Sequence, residues 1–249
     1  MRSSDPESRI ADQGRIGETA RLDHALMLLA DARLPTGAHA VSGGLEAALL
    51  VGGLTSADIA DYLRTRLVTA VPVDAGVAVL ARRAVATGPS SSSSDDALGL
   101  ADAWAARTPA PAVRDAARLA GRGLHRLLRR LRPDGAGATW LRPLVAQAVA
   151  WRPLVLGALA ADLGLDDRRT ALALAYDEVG SIASAALKLL PLDPLTSVDW
   201  SLGAADDIAA AVEVAVGISG VEGLPALAAP QLEAWQQCHA THDRRLFHA

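Results

Sequence analysis

The chain has 249 residues, of which 51% are hydrophobic and only 3% aromatic, and its net charge is −4. A core built mostly from Ala, Leu and Val suits close helix packing better than sheet faces, while the single cysteine excludes a disulfide framework and a cysteine-based zinc site. The mild acidity argues against general nucleic-acid binding. Because the sequence has no apolar run of about 18 residues and no apolar leader, we expect a cytoplasmic protein without membrane contact.

The N-terminal third predicts a tail, several helices and a flexible loop. Residues 1–20 alternate acidic and basic side chains, so we expect a disordered tail there and a single all-α domain over residues 21–249. Thr55 and Ser56 with Asp58 resemble a helix cap, and residues 73–86 predict a further helix. The Ser-rich stretch at about 87–97 predicts a flexible loop. Apolar side chains recur at helical spacing at Leu22, Ala25, Leu26, Leu29, Ile59, Leu63, Leu67 and Ala70.

The clearest helix is predicted over residues 111–132. Its apolar side chains follow a 3.6-residue period, with Arg114, Arg118, Arg122, Arg126 and Arg129 on the opposite face. This arginine face is either solvated or a surface for an acidic partner or nucleic acid, because aligned arginines repel one another. Gly121 and Gly123 lower the helix propensity, which favours a close approach of another backbone.

The remaining sequence is also helical in pattern. Pro143 and Pro153 are typical of first helical turns, and further helices are predicted over residues 166–190 and 204–218 and from Pro230 onward. No stretch alternates as a strand does. We therefore predict an all-α bundle of nine or ten helices.

Residues 34–46 form a loop rich in Pro and Gly that leads into a helix. The loop lacks the order of a phosphate-binding P-loop and of a nucleophile elbow. The simplest interpretation is a connector in which Ser42 caps the next helix and Glu46 lies in its first turn. The alternative is a small-molecule hydrolase that uses Ser42, His39 and Glu46, although such triads usually converge from distant positions.

Two further constellations give weaker signals. His239 and His242 lie three residues apart beside Cys238, but the pattern of a zinc enzyme and a nearby third ligand are both missing. Asp177 and Glu178 are adjacent, and neighbouring residues on a helix point about 100° apart, which favours a structural pairing with Arg over acid–base chemistry. We therefore expect no metal, no cofactor and no catalytic site.

Four motifs in order resemble the UreF family of urease accessory proteins. They are Leu34-Pro35-Thr36-Gly37 with Gly44-Leu45-Glu46, Gly121-Arg122-Gly123-Leu124, the segment from Ser184 to Leu192 with Lys188 near its end, and Arg245-Leu246-Phe247. The order and approximate spacing agree over residues 22–249. The chain departs from the family pattern at His39, Ala40 and Val41, where aromatics are usual, and at Asp243 and Ala249.

The resemblance implies a non-enzymatic all-α chaperone that forms a homodimer. Family members join a UreD (UreH) protein and the GTPase UreG on urease apoprotein, where they support nickel insertion and modulate the GTPase. The resemblance also implies that the motif residues contact partners, with the tail ordered against UreD and the loop shaping a UreG-facing surface. The expected partner-binding residues are Pro35, Gly37, His39, Ser42, Gly44, Glu46, Arg122, Lys188, Arg245, Leu246 and Phe247.

Overall fold

In the computed structural model, residues 6–31, 34, 41–88, 93–241 and 246–247 are described, and their regular structure is entirely helical. This confirms the all-α prediction. The helices are α1 (Pro6–Leu29), α2 (Leu45–Leu50), α3 (Ile59–Val68), α4 (Ala70–Ala86), α5 (Ser93–Ala106), α6 (Pro111–Leu131), α7 (Ala136–Trp140), α8 (Arg142–Ala146), α9 (Arg152–Asp162), α10 (Asp167–Leu189), α11 (Leu195–Gly203), α12 (Ala205–Gly217) and α13 (Pro230–Ala240).

Helix ends follow the chemistry of the sequence. The Thr55 side chain accepts a hydrogen bond from the Ala57 N–H while Asp58 accepts one from the Thr55 N–H at 2.8 Å, which confirms the predicted cap before α3. Asp166 caps α10 in the same way through the Arg169 N–H. Prolines occupy the first turns of α6, α8, α9 and α13, where their missing N–H costs no hydrogen bond.

Helix α1 reaches further toward the N-terminus than the sequence pattern indicates. It begins at Pro6 and so includes most of the segment for which a disordered tail is predicted. Residues 16–21 are exposed, whereas Leu22, Ala25, Leu26 and Leu29 pack against the core as predicted. Similarly, α5 begins at Ser93, inside the predicted loop of residues 87–97. The predicted boundary between tail and domain stays a prediction.

The core lies between α4, α9 and α10, with α6 and α12 on its flanks. Small residues set the spacing of these helices. A Cβ atom at Gly157 of α9 would overlap the Ala78 carbonyl of α4, and one at Gly121 of α6 would overlap the carbonyl of Ala150, just before α9. The predicted close approach at Gly121 is therefore confirmed, since a neighbouring backbone lies where a side chain would be.

The arginine face of α6 divides into two groups. The Arg114 guanidinium donates to the Thr108 carbonyl, and Arg118 donates to the Ala148 carbonyl and to Asp115. Arg122, Arg126 and Arg129 are exposed. The first two arginines therefore hydrogen-bond neighbouring loops, and the last three form an exposed cationic surface.

None of the described helices is long and apolar enough to cross a membrane. Several large apolar side chains are nevertheless exposed, among them Met27, Leu50, Leu195, Leu202 and Leu246. Scattered exposed leucines are ordinary, whereas clusters indicate contact surfaces.

Candidate functional site

The end of the glycine loop is fixed by three donors that share one acceptor. The Gly43 carbonyl accepts hydrogen bonds from the Tyr62 hydroxyl at 2.6 Å, from Gln236 Nε2 at 2.9 Å and from the Arg66 guanidinium at 3.3 Å. Gly44 has φ 89°, and a Cβ there would lie 2.5 Å from Gln236 Cγ. Only glycine suits this left-handed and crowded position. The loop therefore enters α2 in one fixed direction.

That direction buries Glu46 in the first turn of α2, where its carboxylate gathers three donors. Oε2 lies 2.6 Å from His239 Nε2 of α13 and 3.1 Å from the Phe247 N–H, and Oε1 accepts from the Leu246 N–H at 2.7 Å. Because a carboxylate only accepts, Nε2 carries the proton in this pair. A buried charge is thus compensated by groups nearly 200 residues away in sequence.

The pKa of Glu46 reports this environment. Burial by itself raises the pKa of a carboxyl. Here its effect is outweighed by hydrogen bonds from the Leu246 amide, the His239 side chain and the Phe247 amide and by the charge of His239. The pKa of Glu46 therefore lies below its ordinary value. The group is therefore ionised at neutral pH, and its charge strengthens each of the three hydrogen bonds.

Phe247 completes the site. Its ring is 4% exposed and the Lys188 ammonium lies 5.3 Å from the ring centroid, a distance suited to a cation–π contact. The neighbouring Leu246 is 64% exposed. We call Glu46, His239, Lys188, Leu246 and Phe247 the tail-docking site, since here the last described segment of the chain meets the start of α2 and the end of α10.

A buried ionic network lies beneath the loop. Glu178 of α10 pairs with Arg66 of α3 at 2.5 Å and with Arg152 of α9 at 3.1 Å, and Arg152 also pairs with Asp177 at 2.6 Å. The predicted structural pairing of Asp177 and Glu178 with arginine is therefore confirmed. The guanidinium groups of Arg66 and Arg152 lower the pKa of Glu178 against the opposing effect of its burial.

Asp74 of α4 borders the same network. It accepts a hydrogen bond from Trp104 Nε1 at 2.6 Å, and burial raises its pKa to about 6 despite that bond and the charge of Arg152. Asp74, Arg66, Arg152 and Glu178 line a small cavity of about 80 Å³ under the N-terminal half of α6. The network joins α3, α4, α9 and α10 directly behind the loop end.

The structure brings three of the four motifs together and leaves one apart. Glu46, Lys188 and Phe247 meet in the tail-docking site, whereas Arg122 is exposed on α6, in a motif whose Gly121 serves packing. The predicted residues Pro35, Gly37, His39 and Arg245 lie outside the described residues. Partner binding by all these positions stays a prediction.

Sequence reasoning missed part of the site. The sequence pattern around His239 indicates only a weak candidate metal ligand beside Cys238, yet its Nε2 pairs with the Glu46 carboxylate at 2.6 Å. Its Nδ1 has no hydrogen-bond partner in the described part of the chain. Tyr62 and Gln236 gave no signal, because a hydrogen bond across up to 193 residues leaves no local pattern.

Ser42 does not fit the role of a nucleophile. The residue is fully buried, and its hydroxyl has no hydrogen-bond partner within the described residues. The prediction that Ser42 caps the next helix is therefore wrong, because Gly44 is the N-cap of α2 and makes no side-chain cap. Neither the His239 ring nor the Glu46 carboxylate hydrogen-bonds the Ser42 hydroxyl, and His39 lies outside the described residues. No group of three or more potential metal ligands occurs in the described ranges. Fold and site thus define an all-helical protein in which, among the described residues, no base hydrogen-bonds the Ser42 hydroxyl.

Comparison with known proteins gives the family. The family model named UreF matches residues 54–202. The urease accessory protein UreF of Mycobacterium sp. (strain JLS) is 36% identical over 226 residues, which cover 89% of this chain and 96% of the relative. UreF of Mycobacterium tuberculosis (strain ATCC 25618 / H37Rv) is 38% identical over 225 residues with the same coverage. The chain belongs to the UreF family of urease accessory proteins, whose members are non-catalytic maturation factors, and the hydrolase alternative is therefore wrong.

Proposed function

We propose that this chain is a scaffold that joins a UreD/UreH-like protein and a UreG-like GTPase on urease apoprotein and thereby supports nickel insertion. On this proposal the protein works in the cytoplasm as a homodimer, modulates the GTPase, and binds no nucleic acid. Family membership supports the maturation role. The choice of partners rests on the resemblance of the four motifs to those of the family.

The observation that carries the proposal is the convergence at the tail-docking site. Three motifs that are far apart in sequence place a buried anchor, Phe247, beside an exposed apolar side chain, Leu246. Anchoring by Glu46 and Lys188 presents Leu246 at the surface with its backbone already ordered. A preformed contact lowers the entropy cost of binding a partner. This arrangement favours a role for the tail in recognition beyond simple stabilisation of the fold.

Affinity for the UreD-like protein, measured by calorimetry, tests this role. Leu246→Ser keeps the backbone hydrogen bonds to Glu46 and removes only the exposed side chain, so we expect normal thermal stability and at least tenfold weaker binding. Deletion of residues 245–249 should weaken binding as well while leaving the helical circular dichroism intact. Met27→Ser, at another exposed apolar position, is the matched control. Unchanged affinity in both tail variants would contradict the proposed role of the tail.

A further inference from the structure

Helix α11 is amphipathic, but its apolar face points toward solvent and its polar face toward the protein. Its large apolar side chains Leu195, Val198 and Leu202 are 68%, 49% and 71% exposed, and no residue of α11 is buried. Residues at i, i+3 and i+7 fall within an arc of about 60° on a helix, so the three side chains form one stripe. We call this stripe the α11 face.

The opposite side of α11 faces the protein body and is mostly polar. Thr196, Ser197, Trp200 and Ser201 are half-buried there, and both serine hydroxyls donate to carbonyls of their own segment. Only Trp200 packs against the hydrophobic core. The helix contacts α3, α10 and α12, yet its large aliphatic side chains point toward solvent.

Such an orientation has a physical cost. A nine-residue helix is marginal in water and normally gains its stability by burying an apolar face. Here the Leu and Val side chains gain little from the fold, whereas a second apolar surface would bury all three. Contiguous exposed apolar side chains of this kind mark contact surfaces.

The charge around the α11 face selects the class of partner. From Leu189 to Ala240 the sequence has no Lys or Arg and seven acidic residues, which are Asp193, Asp199, Asp206, Asp207, Glu213, Glu222 and Glu233. Asp199, within the helix, and Asp206, just after it, are both exposed. Asp207 and Glu213 pair with Arg64 and Arg168 of other helices. The local field is therefore negative and attracts cations.

From this geometry we infer that the α11 face docks an amphipathic helix of another protein whose apolar stripe is flanked by Lys or Arg. A ridge of residues at i, i+3 and i+7 packs naturally against the ridges of a second helix. A second copy of this chain on the same face would bring Asp199 and Asp206 against equal charges. An anionic lipid surface would be repelled in the same way.

The test uses two fluorescein-labelled 18-residue peptides and fluorescence anisotropy. Both peptides carry Leu on one helical face, and the opposite face carries Lys in one and Glu in the other. We expect the Lys peptide to bind the full chain and the Glu peptide to bind at least tenfold more weakly. Binding of the Lys peptide should protect the amide protons of α11 from hydrogen exchange.

Variants assign this binding to the α11 face. Leu202→Ser should weaken binding of the Lys peptide at least tenfold, and Asp199→Lys should weaken it most at low salt. Val214→Ser, at an exposed apolar position of α12, should bind normally. All three changes are on the surface, so helical circular dichroism should stay unchanged.

Three results would overturn the inference. They are failure of the Lys peptide to bind the native chain, equal binding of the two peptides, and full binding by Leu202→Ser. Light scattering provides a separate check on the occupant. If the native chain is a dimer that Leu202→Ser converts to a monomer, then a second copy covers the α11 face and the inferred partner is wrong.

Discussion

The substitution Glu46→Gln examines the tail-docking site with the smallest possible change of shape. The carboxylate accepts three hydrogen bonds, at 2.6, 2.7 and 3.1 Å, from His239 and from the Leu246 and Phe247 amides. Glutamine has one acceptor oxygen, and its amide NH₂ group would point at a donor. At about 1.5–3 kcal/mol for each bond to a charged group, the loss of one or two bonds lowers the free energy of unfolding by about 3 kcal/mol.

For a chain of this length, a loss of about 3 kcal/mol lowers the melting temperature by about 6–12 °C. Circular dichroism at 222 nm measures this shift, and hydrogen exchange measures release of the tail at the Leu246 and Phe247 amides. Glu222→Gln, at an exposed position, is the matched control and should melt with the native chain. An unchanged melting temperature together with unchanged exchange at these two amides would refute the account of the site.

The difference between native and Glu46→Gln chains should depend on pH. The folded state holds the pKa of Glu46 below its ordinary value of 4.5, so the ionised form favours folding. Its contribution is complete above the unfolded pKa and disappears as the pH falls through the lower folded pKa. The two melting temperatures should therefore differ at pH 7 and converge under strongly acidic conditions.

Three further substitutions test the surroundings of the site, each by denaturant unfolding. Gly44→Ala combines a left-handed backbone with a steric overlap and should lower the free energy of unfolding by about 2–4 kcal/mol. Gly53→Ala, with φ 73° and free space around it, should lower it by only about 1 kcal/mol. Equal losses for the two variants would exclude the overlap. Asp74→Asn should stabilise the chain by about 1–3 kcal/mol at pH 8 and not at pH 3, because the neutral acid is favoured in the folded state and its contribution is lost as the pH rises through about 6; a constant effect at every pH would contradict the raised pKa. Arg152→Met leaves Glu178 with one cation fewer and should cost about 3–5 kcal/mol; a cost below 1 kcal/mol would show that Arg66 alone compensates the buried charge.

Local patterns predicted the fold well because they reflect local chemistry. The period of residues 111–132 and the cap at Thr55 both correspond to observed helices. Leu131, the last residue of that helix, is 37% exposed although it follows the apolar period, because periodicity alone does not show where a helix extends beyond the core. The α11 segment was not predicted as a helix.

The candidate site was predictable only in part. Glu46, Lys188 and Phe247 were singled out through motifs, but their meeting point was not, because long-range pairing depends on how the helices pack. His239 lies 193 residues from Glu46, and no spacing rule connects the two positions. The sequence likewise did not predict that the apolar stripe of α11 faces solvent, since an apolar stripe usually faces the core.

Activation of apo-urease in vitro tests the proposed scaffold role. Apo-urease is incubated with nickel, bicarbonate, GTP and purified UreD-like and UreG-like proteins, with and without this chain, and urea hydrolysis is recorded. A scaffold that joins the two partners should raise the activated fraction severalfold, and it should appear in one complex with both partners on size exclusion. Equal activation with and without the chain, and no shared complex, would contradict the proposed role.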